Sequence, residues 1–163
     1  MWVAISGSWR RINGAVKRDV ETTVSQILSR GDGIVSGGFP GVDYVATVKA
    51  LRHCPNAEKI RIILPVTLEL YALQYADWVG EGAVSDRQAR SVLMQLSELK
   101  EINPRSIVEN RNSALACCSG RNTAMIRRAD SLEAFYINLS KGEDTINTAF
   151  AKGIPVRVRT YAI

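Results

Sequence analysis

The sequence predicts a three-layer α/β fold, in which helices cover both faces of a mostly parallel sheet. Short apolar runs alternate along the chain with stretches whose apolar residues recur at helical spacing. Alternation of this kind is typical of parallel sheets, because each crossover between parallel strands needs a long connection, usually a helix. With 163 residues and no linker or low-complexity tract, the chain is predicted to form a single domain, 1–163, with a full hydrophobic core.

Apolar runs bounded by glycine, proline or polar residues are the predicted strands. On the last of them, an edge strand, Val156 and Val158 are expected to face inward and Arg157 and Arg159 outward, since successive side chains of a strand point to opposite faces. The predicted strands are 2–6, 34–35, 60–64, 107–108, 134–138 and 155–159.

Helical spacing of apolar residues predicts the helices of the α/β core, and one further helical segment lies outside the regular alternation. That segment is a helical insertion at about 67–105, in which an apolar stripe follows a predicted cap at Ser85. We interpret the stripe as core packing, and Tyr71, Tyr75 and Trp78 as core or interface residues. The core helices are predicted at 16–28, 42–52, 121–128 and 144–152.

Composition limits the classes of partner. The chain holds 21 lysines and arginines against 16 acidic residues, and the formal net charge of +5 favours anionic partners. No apolar run is long enough to span a membrane, and the first residues lack the basic region of a signal peptide, so we expect a cytoplasmic protein without a membrane partner. The three cysteines and the single histidine have no metal-ligand spacing, so we expect no metal site and no required cofactor.

A glycine-rich turn between a strand and a helix is the most informative feature of the chain. It comprises residues 36–43, with the sequence Ser-Gly-Gly-Phe-Pro-Gly-Val-Asp. Glycines allow a ligand to approach the backbone closely, and free N–H groups at the start of the following helix attract anions. We therefore predict a nucleotide-phosphate site here, where Asp43 either caps the helix or accepts a hydrogen bond from a ribose hydroxyl.

Four loops with suitable chemistry are predicted to meet at the carboxyl edge of the sheet, where open parallel sheets bind their ligands. Besides the turn at 36–43, they are the loop at 6–11, the stretch around 121 and the turn at 140–145. Their arginine and lysine side chains suit phosphate oxygens, and a threonine adds a hydroxyl at a helix start. The predicted ligand-binding residues are Gly7, Ser8, Arg10, Ser36, Gly37, Gly38, Gly41, Asp43, Arg121, Asn122, Ser140, Lys141, Gly142 and Thr145.

Two common nucleotide-binding motifs are absent. The first strand is followed by Gly-Ser-Trp-Arg and not by the G-x-G-x-x-G of dinucleotide-binding enzymes, so a hydride-transferring enzyme is disfavoured. The Walker motif G-x-x-x-x-G-K-[ST] is also missing, which argues against an ATPase.

Several short motifs, taken in their order and spacing, resemble the SLOG superfamily. Its Rossmann-like core is shared by the DNA-processing protein DprA (Smf) and the LOG, or lysine decarboxylase-like, proteins. The resemblance covers nearly the whole chain outside 67–119 and implies a Rossmann-like fold with a nucleotide-derived ligand. The motifs are Val-Ala-Ile-Ser-Gly-Ser at 3–8, the turn at 36–43, Arg121-Asn122, Ala129-Asp130, and residues 140–145 followed by Ala149 and 153–156.

The two branches of the superfamily imply different functions. Resemblance to DprA implies binding of single-stranded DNA, and resemblance to LOG proteins implies a phosphoribohydrolase that releases the base from nucleoside monophosphates. Thr148 occupies the position of the catalytic glutamate in the LOG motif, and a threonine cannot supply a carboxylate. The candidate catalytic residues are then Arg121, as a clamp on the phosphate or transition state, and Glu143 or Asp144 as the acid or base.

The sequence leaves three functions open. The main prediction is binding or sensing of a nucleotide or nucleotide-derived ligand, and the alternatives are nucleoside 5′-monophosphate hydrolysis and single-stranded DNA binding. For DNA, Trp9 could stack on a base, or it could instead pack at a subunit contact. A homo-oligomer is also expected, most simply a dimer through the apolar face of the helix at 85–99. The arginines of a possible basic track for DNA are Arg10, Arg11, Arg127, Arg128, Arg157 and Arg159.

Overall fold

The computed structural model describes residues 1–111 and 118–162, apart from the side chains of Cys118, Ser119 and Ser140. Within these residues the strands form one sheet, and every strand pair in it is parallel. The strands are β1 (Trp2–Gly7), β2 (Gly33–Gly37), β3 (Ile60–Ile63), β4 (Ile107–Val108), β5 (Ser131–Tyr136) and β6 (Val156–Thr160), in the order β4-β3-β2-β1-β5-β6.

Helices lie on both faces of this sheet, which confirms the predicted three-layer α/β fold. Neighbouring residues of one strand serve opposite faces: Val3 and Ile5 belong to the larger core cluster, whereas Ala4 belongs to the smaller one. The larger cluster receives the first four helices and the smaller one the last two. The helices are α1 (Gly14–Ser29), α2 (Val42–His53), α3 (Leu68–Gly80), α4 (Asp86–Ile102), α5 (Cys118–Arg127) and α6 (Glu143–Lys152).

Side-chain caps define several helix starts. The Asn13 side chain accepts a hydrogen bond of 3.0 Å from the Val16 N–H at the start of α1. At the start of α4, Ser85 and Gln88 form a reciprocal capping box, which confirms the predicted cap at Ser85. None of the described helices is long and apolar enough to cross a membrane.

The sheet reverses its strand order at β1, and this reversal locates the functional edge. β1 pairs with β2 on one side and with β5 on the other, so Val3 lies opposite both Ile34 and Ser131. The crossover connections leave β1 and β5 in opposite directions along the sheet, which opens a crevice outside the carboxyl ends of these strands. The loops predicted to carry the site all lie at this edge.

The last two strands differ from their prediction. β5 begins at Ser131 and not at 134, because the polar residues Ser131 and Glu133 pair with β1 as fully as the apolar ones do. On β6 the prediction that Arg159 faces solvent and Val158 faces inward is wrong. Val158 is 37% exposed, while the Arg159 guanidinium lies 5.0 Å from the Phe135 ring centre and donates to Glu133 at 2.6 Å.

The apolar stripe of α4 packs within its own chain. Val92, Leu96 and Leu99 are buried in the larger core cluster together with Tyr71 and Tyr75 of α3. The prediction of core packing is therefore confirmed, and a dimer through this face is not possible without unpacking the core. A homo-oligomer remains a proposal that needs a different surface.

We expect Lys152→Met to lower the free energy of unfolding by about 1–2 kcal/mol. The Lys152 ammonium donates to the carbonyls of Ile126, Arg127 and Ala129 at 2.9, 2.9 and 2.7 Å, so it caps the carboxyl end of α5. Urea unfolding followed by circular dichroism measures the change. Lys17→Met is the control: Lys17 has one exposed contact of 4.0 Å with Glu21, so a change within about 0.5 kcal/mol is expected. Equal losses of unfolding free energy in the two variants would contradict the role of Lys152 at the end of α5.

Candidate functional site

A cavity of about 680 Å³ opens at the carboxyl edge of the sheet, where the ends of β1, β2 and β5 meet the starts of α2, α5 and α6. This volume lies within the range of pockets that hold small ligands, about 300–1,000 Å³. The structure thus brings together residues from all of the predicted loops. The predicted ligand-binding residues that line the cavity are Gly7, Ser8, Arg10, Gly37, Asp43, Arg121, Asn122, Lys141 and Thr145.

Other predicted residues lie outside the cavity lining. The Gly38 carbonyl accepts hydrogen bonds from the Tyr71 and Tyr75 hydroxyls at 2.9 and 2.6 Å, so it serves the core. The Ser140 side chain lies outside the described part of the chain. Glu143 and Asp144 are exposed in the first turn of α6, where Asp144 accepts from Asn122 at 3.3 Å. Three further predicted ligand-binding residues do not line the cavity: Ser36, Gly41 and Gly142.

The protein itself uses backbone donors of the glycine-rich turn. The N–H groups of Gly37 and Phe39 face the Asp43 carboxyl and favour its charged form, as does the Ser36 hydroxyl. The Val42 N–H donates to the Ser8 carbonyl at 3.0 Å. The Val42 N–H is therefore already paired, contrary to the expectation of free N–H groups at this helix start, and the Asp43 carboxyl lies close to the N–H groups of Gly37 and Phe39.

Asp43 is the carboxyl that lies deepest in this site. It is 7% exposed, and burial raises its pKa to about 7, although Arg121 and the N–H groups of the turn lower it. Near neutral pH the Asp43 carboxyl, at the floor of the cavity, therefore changes between its protonated and charged forms.

This pKa predicts a specific pH dependence of stability. Because the native pKa of about 7 exceeds the ordinary value of 3.8, the native state binds more protons than the unfolded state between these values. Stability from this carboxyl is full below the lower pKa and is lost as the pH rises through the higher one. We expect Asp43→Asn to reduce that loss, by up to roughly 1.4 kcal/mol per pH unit, in melting experiments across this window. Asp32, whose pKa is held below 3.8 by Arg30, is the control: its contribution to stability changes only below that value, so Asp32→Asn should leave the slope across this window unchanged. Parallel profiles for wild type and Asp43→Asn would contradict the prediction.

Arg121 is buried and incompletely paired. It is 8% exposed, its Nη2 donates to the Asn122 side chain at 2.8 Å, and its guanidinium carbon lies 4.0 Å from the centre of the Phe39 ring. Its Nε and Nη1 have no hydrogen-bond partner among the described residues. A buried charged donor without an acceptor is costly, so this guanidinium is suited to an anion supplied by a ligand.

Gly37 permits the close approach of Arg121 and Asp43. A Cβ at this position would lie 2.9 Å from the Asp43 Oδ2 and 3.1 Å from the Arg121 Nη1. The absence of a side chain therefore lets an acidic and a basic group share the cavity floor, where the charge of Arg121 lowers the pKa of Asp43.

Aromatic residues outside the predicted ligand-binding set form one wall, and they include Trp9, the candidate for base stacking. The rings of Trp9 and Phe39 stack with centroids 5.7 Å apart, and Phe39 contacts Trp78 at 5.8 Å. Tyr136 adds its hydroxyl, which hydrogen-bonds to Ser6, and burial raises its pKa. The sequence did hold a signal that could have assigned Phe39 to the site, because it is an aromatic residue inside the glycine-rich turn.

The predicted basic track is not continuous. Arg10 and Arg11 lie at the cavity rim, whereas α5 runs antiparallel to the strands and carries Arg127 and Arg128 to the opposite edge, near Trp2. Within residues 1–111 and 118–162, no group of three or more histidine, cysteine, aspartate or glutamate side chains could hold a metal ion.

These features define the chain as a Rossmann-like α/β protein with a buried arginine in its switch-point cavity. No protein-family model and no curated protein sequence matches it. Among solved structures, it is similar to DNA processing protein A from Helicobacter pylori, a single-stranded DNA-binding protein, with a TM-score of 0.66 and 22% identity over 97% of this chain. The chain spans 64% of the length of that structure. The predicted DprA-like core is thus confirmed at the level of the fold, and the LOG-like branch stays a prediction.

Proposed function

We propose that this protein binds single-stranded nucleic acid and that a backbone phosphate of the strand pairs with Arg121. The observation that carries the proposal is a buried guanidinium in the lining of an open cavity, whose Nε and Nη1 find no hydrogen-bond partner within residues 1–111 and 118–162. A phosphate oxygen supplies the acceptor that these donors lack, and charge-assisted bonds of this kind are strong.

The surroundings of Arg121 support a strand as the ligand. Arg10, Arg11 and Lys141 add positive charge at the rim, and Trp9 offers an aromatic surface beside them. Grooves that bind single strands combine a charged path for the backbone with aromatic rings for the bases. The Helicobacter pylori protein with the same fold binds single-stranded DNA, which favours the same ligand class here.

Fluorescence anisotropy of a short labelled oligothymidylate tests the proposal. We expect binding at low salt, with a logarithmic slope of affinity against salt of about −0.7 for each phosphate contacted. A duplex of the same length should bind more weakly, because its paired bases cannot enter the cavity. Absence of binding at low salt, or stronger binding of the duplex, would overturn the proposal.

A small nucleotide is the second candidate ligand, and the cavity volume of about 680 Å³ favours it. A nucleotide that binds the native state at about 100 times its dissociation constant stabilises it by about 2.7 kcal/mol. A thermal-shift panel of AMP, ADP, ATP, NAD, ADP-ribose and cyclic nucleotides therefore separates the candidates. A shift with one small molecule and no oligothymidylate binding would favour this candidate over a strand.

A nucleoside-monophosphate hydrolase is supported by Arg121 alone. The Thr148 hydroxyl, at the position of the LOG glutamate, donates to the Asp144 carbonyl at 2.7 Å, and neither Glu143 nor Asp144 lines the cavity. Release of adenine from AMP that is lost in Asp144→Asn would establish this activity, and no release at high protein concentration would exclude it for AMP.

A further inference from the structure

A column of stacked groups runs from the floor of the cavity to its rim. The Arg121 guanidinium lies 4.0 Å from the centre of the Phe39 ring, Phe39 stacks on Trp9 with centroids 5.7 Å apart and planes at 19°, and the Arg10 guanidinium lies 4.9 Å from the Trp9 ring. Phe39 and Arg10 both cover part of the Trp9 indole, so the surface under Arg10 is separate from the area stacked on Phe39.

Arg10 is the replaceable member of this column. It is exposed at the rim, and within the described residues no carboxylate lies at ion-pair distance from it, whereas Arg121 is buried and Phe39 is held between two neighbours. A cation on an exposed ring is held weakly. A nucleobase stacks on an aromatic side chain more strongly than that, so it can compete for the same face.

We propose that the Arg10-covered face of Trp9 is the nucleobase platform of the cavity, and that Arg10 leaves it when a base arrives. The inference rests on the proposed function, since it assigns the position of a base next to the phosphate on Arg121. The released Arg10 guanidinium can then pair with a phosphate oxygen of the same strand. Arg10 thus opposes binding of a bare base and favours binding of a phosphate.

Tryptophan fluorescence, titrated with adenosine, tests the platform without any phosphate. We expect quenching in the wild-type protein and its loss in Trp9→Phe. Trp2→Phe is the control and should keep the quenching, because Trp2 lies at the start of β1, at the opposite edge of the sheet. At that edge the Arg61 guanidinium lies 4.9 Å from the Trp2 ring centre, the same distance as between Arg10 and Trp9.

Replacement of Arg10 separates its two roles, because they predict opposite changes. Arg10→Ala should bind adenosine about two- to fivefold more tightly, since the cation no longer occupies the platform. The same variant should bind an abasic oligonucleotide, which has phosphates and no bases, about two- to fivefold more weakly. Arg61→Ala should change neither affinity.

Two outcomes would overturn the platform. The first is adenosine quenching that persists in Trp9→Phe, and the second is an Arg10→Ala variant that weakens adenosine binding. If either occurs while oligothymidylate still binds, the proposed function stands and the platform fails. The opposite result is adenosine quenching through Trp9 with no affinity for any oligonucleotide. The platform would then stand, and the proposed function of binding a single strand would fail.

Discussion

Arg121→Met is expected to weaken oligothymidylate binding by about a hundredfold or more while leaving the free energy of unfolding within about 1 kcal/mol of the wild type. Binding is lost because the variant has no donor for the phosphate. Stability is kept because methionine has a similar length and removes Nε and Nη1, which have no hydrogen-bond partner in the described part of the chain. Anisotropy and urea unfolding at about pH 6 measure the two quantities; at this pH Asp43, with a pKa of about 7, is largely protonated.

Arg127→Met is the matched control on the same helix. Arg127 is exposed at the end of α5, at the sheet edge opposite the cavity, so its loss removes the same charge from the protein without touching the site. We expect binding within about twofold of the wild type, since a distant exposed charge acts weakly through screened solvent. Equal losses of affinity in both variants would show that binding depends on net charge and not on the cavity.

Gly41→Ala is expected to lower the free energy of unfolding by about 3 kcal/mol or more. Gly41 has a φ of 77°, which disfavours any side chain, and a Cβ there would lie 2.4 Å from the Ser8 carbonyl and 2.7 Å from the Trp9 Cα. These are backbone atoms, so relief requires that the loop after β1 move away from α2. Thermal unfolding measures the loss, and the cavity wall formed by Trp9 should be disturbed with it.

Gly31→Ala separates the strain of a positive φ from the steric clash of the added Cβ. Gly31 has a similar φ of 88°, but no atom of the described residues lies within 4 Å of its added Cβ. Its substitution therefore reports the backbone strain alone, which we expect to cost about 1 kcal/mol. A loss at Gly41 no greater than the loss at Gly31 would mean that the contact of the turn with the loop after β1 contributes nothing to stability.

Local patterns in the sequence predicted the fold and the edge that carries the site. Strand and helix periodicity, with glycine turns between them, established a parallel α/β sheet, and chain order placed the loops at its carboxyl edge. Prediction was weakest where local signals were weak, as at Ser131 and Glu133. These polar residues lie in β5 because a neighbouring strand pairs with them, and that pairing is not encoded in their own polarity.

The sequence by itself thus determined the alternation of elements, the glycine-rich turn and the gathering of Arg10, Arg121 and Lys141 near one edge. Only the tertiary structure decided which groups are available there. Asp43 lies against the donors of its own turn, Arg121 stacks on Phe39 with two nitrogens that no described residue pairs, and Trp9 stacks on the same ring. For Trp9 and Arg121 the physical reason is distance along the chain: their contacts with Phe39 join residues that lie far apart in sequence, and these contacts depend on how helices pack on the sheet rather than on any local pattern.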